Sequence, residues 1–341
     1  MGQEANDMSE WYERIPKVEL HVHLEGSIPI ETLWQLVTKY GGDPTTPDID
    51  ALRRRFVYRD FAHFLATWVW QLAFIREYED FTFIAEAVAR DFARQNIRYV
   101  EAFHSPGDFR RHGLETLPLI EAIRVGLDRV PEVEVKLVTD LVRNYGPERG
   151  ATTLSEIREA QSLGVIGVGI GGHEADYPAT PFAAVYEEAR SMGFHTSAHA
   201  GEGTGPESVW GAVRDARAER IGHGTRAPED ERLMDYMAER QIPIETCPIS
   251  NVRTAVIPSV GEHPIREFMA RGIPVSVNTD DPAMFGNSLA DEYAALEREL
   301  GFTPDEIRAV ILSGVATSWM PEDDKARMTR EFEADPTWRD N

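Results

Sequence analysis

The stretch from residue 165 to residue 201 reads VIGVGIGGHEADYPATPFAAVYEEARSMGFHTSAHAG and contains the repeating unit of the fold. It begins with a short apolar run, continues with apolar residues at helical spacing, and ends with a second short run that closes in glycine. The helix is expected to end at Gly193, since glycine commonly follows a helix C-terminus. A strand, a helix and another strand in this order predict two parallel strands of one sheet.

The same alternation runs through most of the chain. The predicted strands are Val18–Leu24, Arg98–Ser105, Val135–Val142, Val165–Gly172, Phe194–Gly201, Arg220–Thr225, Ile242–Ser250 and Ile273–Asp281. The predicted helices include Phe81–Gln95, Leu114–Val130, Ala151–Leu163, Pro181–Met192, Pro228–Arg240 and His263–Arg271. This order predicts an α/β fold, a (β/α)8 TIM barrel, which commonly forms one domain of more than ~250 residues. Because no low-complexity linker interrupts the series, residues 1–341 are expected to form a single domain.

The segment from Glu31 to Ile75 is too long for one barrel helix and is rich in aromatic residues. We interpret it as extra helices that cap the C-terminal mouth of the barrel. Packing of its aromatic side chains in the core is the alternative. These side chains are Phe56, Phe61, Phe64, Trp68, Trp70 and Phe74.

The composition narrows the class of partner. A formal net charge of −23 opposes binding to nucleic acid or to an anionic membrane surface, because both need a basic patch. A small-molecule partner is therefore expected, and the oligomeric state stays open. Cys247 is the only cysteine, which excludes internal disulfides and sites made of several thiolates. The polar, acidic segment Met1–Glu10 and the lack of any apolar stretch near ~20 residues lead us to expect a cytoplasmic protein.

Five groups that can bind a divalent metal fall at the C-terminal ends of predicted strands. They are His21, His23, His199, His223 and Asp280. In a His-x-His pair on a strand, both rings point to the same face, which here is the barrel interior. Imidazole and carboxylate are zinc ligands, and active sites of this fold lie at this end of the barrel. A single such histidine would more often be structural. The prediction of a metal site therefore depends on finding all five groups at the same end of the predicted strands.

Further polar residues adjoin these groups. Glu202 lies three residues beyond His199, where a carboxyl group can act as general acid and base; a surface carboxylate is the alternative. Asp281 follows Asp280 directly, so an extended strand would aim one at the metal and the other at a substrate. Glycines at 169, 171 and 172 leave the backbone open to a planar ring, or form a tight turn.

These segments together resemble the adenosine deaminase family of amidohydrolases, from Pro16 to about Leu289. The most specific pieces are His-Val-His-Leu-Glu-Gly at 21–26, His-Ala-Gly-Glu at 199–202, Ile-Gly-His-Gly at 221–224 and Asn-Thr-Asp-Asp-Pro at 278–282. The resemblance implies one zinc ion per chain and hydrolytic removal of ammonia from the 6-position of an adenine-type purine. It also implies attack of zinc-activated hydroxide on C6.

The resemblance assigns a role to each of these residues. The implied zinc ligands are His21, His23, His199 and Asp280, with Asp280 also among the catalytic residues. His223 matches the residue that orients the zinc-bound water, and Glu202 matches the acid that protonates purine N1. Asp281 matches the group that hydrogen-bonds N7, and Gly172 matches the backbone donor to N3.

Two departures from the pattern leave the substrate open. Adenosine-cleaving members commonly have an aspartate beside the 5′ end of the sugar, whereas this chain has Glu25 there, a choice similar to that of adenine deaminases. By the same resemblance Glu25 is expected to be a substrate-binding residue. The fourth-strand motif has His173 where an acid is usual. The residues Ser250–Thr254, however, look like the bacterial adenosine type. A purine nucleoside such as adenosine is therefore the expected substrate, and 6-aminodeoxyfutalosine of menaquinone biosynthesis and adenine are the alternatives.

Three other classes fit the sequence less well. A two-metal amidohydrolase needs a carbamylated lysine at a middle strand, and no lysine ends the fourth strand. A cytidine-deaminase-type site needs more than the single Cys247. A metal-stabilised protein that only binds its ligand would be expected to lack Glu202 or one of the metal ligands.

Overall fold

Eight parallel strands surround a common axis in the computed structural model, which describes residues 10–340. They are β1 Lys17–His23, β2 Ile97–His104, β3 Glu134–Asp140, β4 Val165–Gly169, β5 His195–Ala200, β6 Arg220–His223, β7 Ile244–Thr246 and β8 Val275–Val277. Each strand pairs with the next along the chain. A parallel bridge between Val22 and Asp280 connects β1 to the segment after β8. The predicted TIM barrel is therefore confirmed.

Fifteen α-helices between Ile30 and Ala334 surround and extend the barrel. They are α1 Ile30–Lys39, α2 Ile49–Arg55, α3 Phe61–Leu72, α4 Tyr78–Arg94, α5 Thr116–Leu127, α6 Gly146–Glu156, α7 Ala183–Ser191, α8 Pro206–Trp210, α9 Glu231–Arg240, α10 Pro248–Arg253, α11 Ile265–Ala270, α12 Pro282–Phe285, α13 Leu289–Leu300, α14 Pro304–Thr317 and α15 Glu322–Ala334. Helices α13 to α15 follow the last strand, and their sequences were not among the predicted helices.

Several predicted strands are too long at their carboxyl ends. The chain leaves β4 at Gly169, whereas the prediction extended to Gly172. It leaves β7 at Thr246, because Pro248 begins α10. It leaves β8 at Val277, four residues before the predicted end at Asp281. The polar residues that follow β4 and β8 therefore lie on loops, whereas Ser250 and Asn251 after β7 lie on α10.

The segment between β1 and β2 has both of the predicted roles. Helix α3 lies beside the mouth and forms a small apolar cluster in which Phe64 packs with Met284 and Phe285. Phe74, by contrast, is buried in the main core. Trp70 packs partly against the same core, and its indole N–H donates to Asp43 at 2.6 Å.

No helix within residues 10–340 is long and apolar enough to span a membrane. Nine of the ten residues of the polar N-terminal segment Met1–Glu10 lie outside the described part of the chain, as does Asn341.

Candidate active site

Three histidines and an aspartate bring four ligand atoms together at the carboxyl end of the barrel. The Nε2 atom of His199 lies 3.0 Å from Nε2 of His21 and 3.1 Å from Nε2 of His23. Asp280 Oδ1 lies 3.7 Å from Nε2 of His21 and 3.4 Å from Nε2 of His23. All four residues are buried, and their ligand atoms lie within 4.8 Å of one another. The structure thus clusters the four residues that the sequence predicts as metal ligands.

The chemistry of this cluster fits a divalent metal ion. Burial lowers the pKa of His21 and His199, and it lowers the pKa of His23 to about 3. These lowered pKa values favour neutral imidazole, which is the form that binds a metal. The Nδ1–H group of His21 donates to Glu245 at 2.7 Å, so its Nε2 lone pair faces the other ligands. The hydroxyl group of Ser250 donates to Asp280 Oδ2 at 2.6 Å and orients that carboxylate.

A chain of buried ionic groups extends from His21 into the barrel interior. Arg220 Nε lies 2.6 Å from Glu245 Oε1, and another guanidinium nitrogen of Arg220 lies 2.5 Å from Glu101. The guanidinium group also stacks on Trp319 at 3.5 Å. The positive charge of Arg220 is thus paired with a carboxylate on each side. This pairing holds Glu245 in place as the hydrogen-bond acceptor for His21. Glu245 was not among the residues predicted from the sequence, although an acid on a three-residue barrel strand is a signal.

Glu202 follows β5 and is only 8% exposed, so the surface-carboxylate alternative is wrong. The carboxylate of Glu174 accepts hydrogen bonds from four consecutive backbone N–H groups, those of Gly201, Glu202, Gly203 and Thr204, at 2.5–3.2 Å. Burial, and then the negative charge of Glu174, raise the pKa of Glu202 to about 8. The backbone that carries Glu202 is therefore held in place, and the raised pKa favours the protonated form of its carboxyl group near neutral pH. Glu174 is a second residue that the sequence analysis did not identify.

Asp281 faces the same cavity, although not for the predicted reason. The chain is not extended here, because Asp280 has a φ of +67°. Asp281 instead precedes α12, and a Cβ atom added to Gly26 would lie 1.7 Å from its Oδ1. Burial, and then the charge of Asp280, hold the pKa of Asp281 well above its usual range. Its buried Oδ1 has no hydrogen-bond partner among the described residues.

His223 closes β6 with a φ of +64°. Its ring is buried, and its Nε2 lies 3.7 Å from Glu202 Oε2. His223 is not among the four clustered ligands, but its ring packs against two of them, His21 and His199. It is therefore placed to contact whatever lies between the ligand cluster and Glu202.

Of the two remaining predicted residues, Gly172 lines the cavity and Glu25 does not. Gly172 borders the cavity with a φ of +106°, and an added Cβ would lie 2.2 Å from Asn144 Oδ1, so only glycine fits there without strain. Glu25 lies behind the cavity wall in a turn after β1, where it accepts from the backbone N–H of Ser105 at 3.0 Å. Burial raises the pKa of Glu25 to about 8.

The cavity has a volume of ≈ 640 Å³ and contrasting walls. Helix α3 contributes an apolar wall made of Phe61, Phe64, Leu65, Trp68 and Val69. Asp108, Asp140 and Tyr145 contribute polar groups to the rest of the lining. No lysine or arginine of residues 10–340 lines this cavity.

The family model described as "Adenosine deaminase" matches residues 16–334. This chain belongs to the adenosine deaminase family. It is 36% identical over 333 residues to an aminodeoxyfutalosine deaminase of Streptomyces coelicolor. The aligned region covers 96% of this chain and 86% of the relative. The family and the aminohydrolase class that the sequence predicts are therefore confirmed, while the individual substrate is not resolved.

Two solved structures share the fold. An adenine deaminase from Arthrobacter aurescens is 27% identical with a TM-score of 0.87, covering 93% of this chain and 98% of its own. An amidohydrolase from Burkholderia ambifaria with bound Zn is also 27% identical, with a TM-score of 0.86 and coverages of 95% and 91%.

Proposed function

We propose that this adenosine deaminase-type enzyme is a zinc-dependent deaminase of a 6-aminopurine nucleoside, which converts adenosine into inosine and ammonia. One observation carries the proposal. Two buried acids whose pKa values are raised, Glu202 and Asp281, face a single cavity beside a cluster of three histidines and one aspartate. Protonated carboxyl groups donate hydrogen bonds, and a purine ring presents nitrogen acceptors at its edges.

In this proposal, different residues contact different nitrogen atoms of the purine ring. Glu202 delivers a proton to N1, which relieves the negative charge that attack at C6 builds on the purine. Asp281 donates to N7 through its unpartnered carboxyl group, and Gly172 offers its backbone N–H to N3. His223 orients the attacking water beside Glu202. One zinc ion per chain, held by His21, His23, His199 and Asp280, would supply Lewis acidity that makes water nucleophilic near neutral pH.

The cavity walls favour a nucleoside over a nucleotide. Asp108 and Asp140 line the cavity, and no lysine or arginine within residues 10–340 does. A phosphate group would meet carboxylates without a compensating guanidinium or ammonium group. We therefore expect AMP to have a kcat/KM at least ~10-fold below that of adenosine, a loss of about 1.4 kcal/mol.

A nucleoside with an extended 5′ group is the second candidate, and the apolar wall of α3 favours it. An aromatic substituent at the 5′ position could pack against Phe61, Leu65 and Trp68. The Streptomyces coelicolor relative is named for aminodeoxyfutalosine. Glu25, which the sequence predicts near the 5′ end of the sugar, would act from behind the wall by holding the backbone of Ser105, which does line the cavity.

A substrate panel tests the proposal. Adenosine, 2′-deoxyadenosine, adenine, AMP, 5′-modified adenosines and 6-aminodeoxyfutalosine are compared by kcat/KM from the absorbance change on deamination, with ammonia measured independently. We expect nucleosides to exceed adenine. A highest value for adenine would contradict this, and a 5′-extended nucleoside that exceeds adenosine ~10-fold would establish the second candidate. No ammonia from any compound with zinc-loaded protein would refute the proposed function.

A further inference from the structure

The two ring nitrogens of His223 lie in different surroundings. Nε2 points toward the cavity, 3.7 Å from Glu202 Oε2. Nδ1 points away from the cavity and lies 3.2 Å from the side-chain amide nitrogen of Asn251. Both His223 and Asn251 are buried, so the partner of Nδ1 is a protein group rather than bulk water.

The side-chain amide group of Asn251 makes a second contact on its oxygen side. The hydroxyl group of Thr225 donates to Asn251 Oδ1 at 3.1 Å, which leaves the amide nitrogen facing His223. An amide nitrogen can only donate a hydrogen bond, so Nδ1 of His223 must accept one. A ring whose Nδ1 accepts a hydrogen bond carries its one proton on the other nitrogen. That proton is then on Nε2.

The backbone gives Asn251 little freedom to move. Asn251 lies on α10, and its own N–H donates to Cys247 at 3.0 Å. Its carbonyl oxygen accepts from Val256 at 2.8 Å and from Ile257 at 3.1 Å. These bonds involve main-chain atoms alone, so a side-chain substitution leaves them in place and tests the amide group itself.

We propose that Asn251, oriented by Thr225, is a positioning residue that fixes His223 in the tautomer with its proton on Nε2. In this tautomer the ring donates a hydrogen bond into the cavity between Glu202 and the metal-ligand cluster. The other tautomer would present a lone pair there and could not donate to an oxygen nucleophile. The link to catalysis depends on the proposed deaminase function, whereas the tautomer itself does not.

Asn251→Asp is the direct test, because the aspartate keeps the shape and still accepts from Thr225. A carboxylate cannot donate to Nδ1 and instead accepts a hydrogen bond from an Nδ1–H group, so the proton of His223 should move to Nδ1. We expect kcat to fall at least ~10²-fold with zinc content unchanged, since a wrong histidine tautomer has cost as much as ~10⁴-fold in kcat in another enzyme.

Thr225 provides a matched pair of variants that add no buried charge. Thr225→Val removes the hydroxyl group that orients the amide, whereas Thr225→Ser retains it. We expect Thr225→Val to lower kcat roughly 5-fold, the worth of one hydrogen bond. Thr225→Ser should stay within about 2-fold of wild type, below the worth of a hydrogen bond. This pair keeps the proposal testable if Asn251→Asp does not fold.

The tautomer is read directly from proton–nitrogen correlation spectra of the full chain with ¹⁵N-labelled histidine, loaded with zinc. The His223 signals are assigned by comparison with His223→Gln. The proton on Nε2 in wild type, with its displacement in Asn251→Asp, supports the proposal. A wild-type proton on Nδ1, an unchanged tautomer in Asn251→Asp, or a changed tautomer with unchanged kcat overturns it. If the protein deaminates no purine, the proposed function fails, and the spectra still decide the tautomer.

Discussion

Substitution of Gly26 by alanine should displace Asp281 without touching a metal ligand. The three heavy atoms nearest to the added Cβ all belong to the Asp281 side chain, at 1.7 Å, 2.5 Å and 2.7 Å. The φ of Gly26 is not among the positive values, so alanine adopts the same backbone conformation. The closest steric conflicts therefore all fall on the side chain of Asp281, and the shortest is with its carboxyl group.

The distances set the size of the effect. Ordinary van der Waals contact begins at 3.4 Å, so the Asp281 carboxyl group must move by about 1.7 Å. Misplacing a group in an active site by about 1 Å can cost ~10²-fold in rate. We therefore expect kcat/KM of Gly26→Ala to fall at least ~10²-fold, about 2.7 kcal/mol of transition-state stabilisation. Zinc content should remain that of wild type.

Kinetic measurement of adenosine deamination, with zinc analysis on the same samples, tests this reasoning. Gly203→Ala is the matched control, because its added Cβ lies 3.7 Å from Glu174 and needs no adjustment. In an Asp281→Gly background, Gly26→Ala should have no further effect, since the obstructing atoms are gone. A Gly26→Ala enzyme within about 3-fold of wild type, below the cost of such a misplacement, or an undiminished effect in the Asp281→Gly background, would refute the argument.

Three further predictions concern proton transfer and the metal. Glu202→Gln keeps the shape but cannot deliver a proton, so kcat should fall at least ~10²-fold with zinc and inhibitor affinity retained; a mutant within ~10-fold of wild type would remove Glu202 from this role. Because the pKa of Glu202 is raised to about 8, its acid form is lost as pH rises, and kcat/KM should decline on the basic side. Glu174→Gln removes the second cause of that shift and should move this decline to lower pH. Exposed Glu187→Gln should not, and an unmoved decline in Glu174→Gln would contradict the assignment. His199→Ala should lose zinc and activity together, whereas two zinc equivalents in active wild type would contradict a single site.

The barrel could be predicted because its signal is repeated. Short β-branched runs recur along the chain and are followed by helical patterns, so an error in one repeat does not change the fold. The ends of the strands could not be predicted to the residue. Val165–Gly172 and Ile273–Asp281 read as continuous runs, yet the chain leaves β4 at Gly169 and β8 at Val277. Residues beyond those points adopt loop conformations set by contacts that are distant in sequence.

The predicted ligands could be found because each lies at or just beyond a strand end, where the barrel topology itself brings them together. Glu174 and Glu245 were missed because their partners come from other elements. Glu174 holds the backbone of the loop after β5, and Glu245 holds a histidine on β1. Such pairings depend on register around the barrel. The same limit applies to Glu25, whose position behind the wall is decided by its contact with Ser105.

His223 and Asp280 show why the sequence pattern and the backbone diverge at the site. Both have positive φ, 64° and 67°, and neither is glycine. Such a conformation costs about 1–3 kcal/mol for each residue and persists only where the surroundings hold it. The surroundings do so here: Asn251 contacts the ring of His223, and Ser250 contacts the carboxylate of Asp280. Glycine would relieve the strain at either position but would remove the imidazole or the carboxylate. The strain therefore persists at the two places where a side chain must turn from the end of a strand into the cavity.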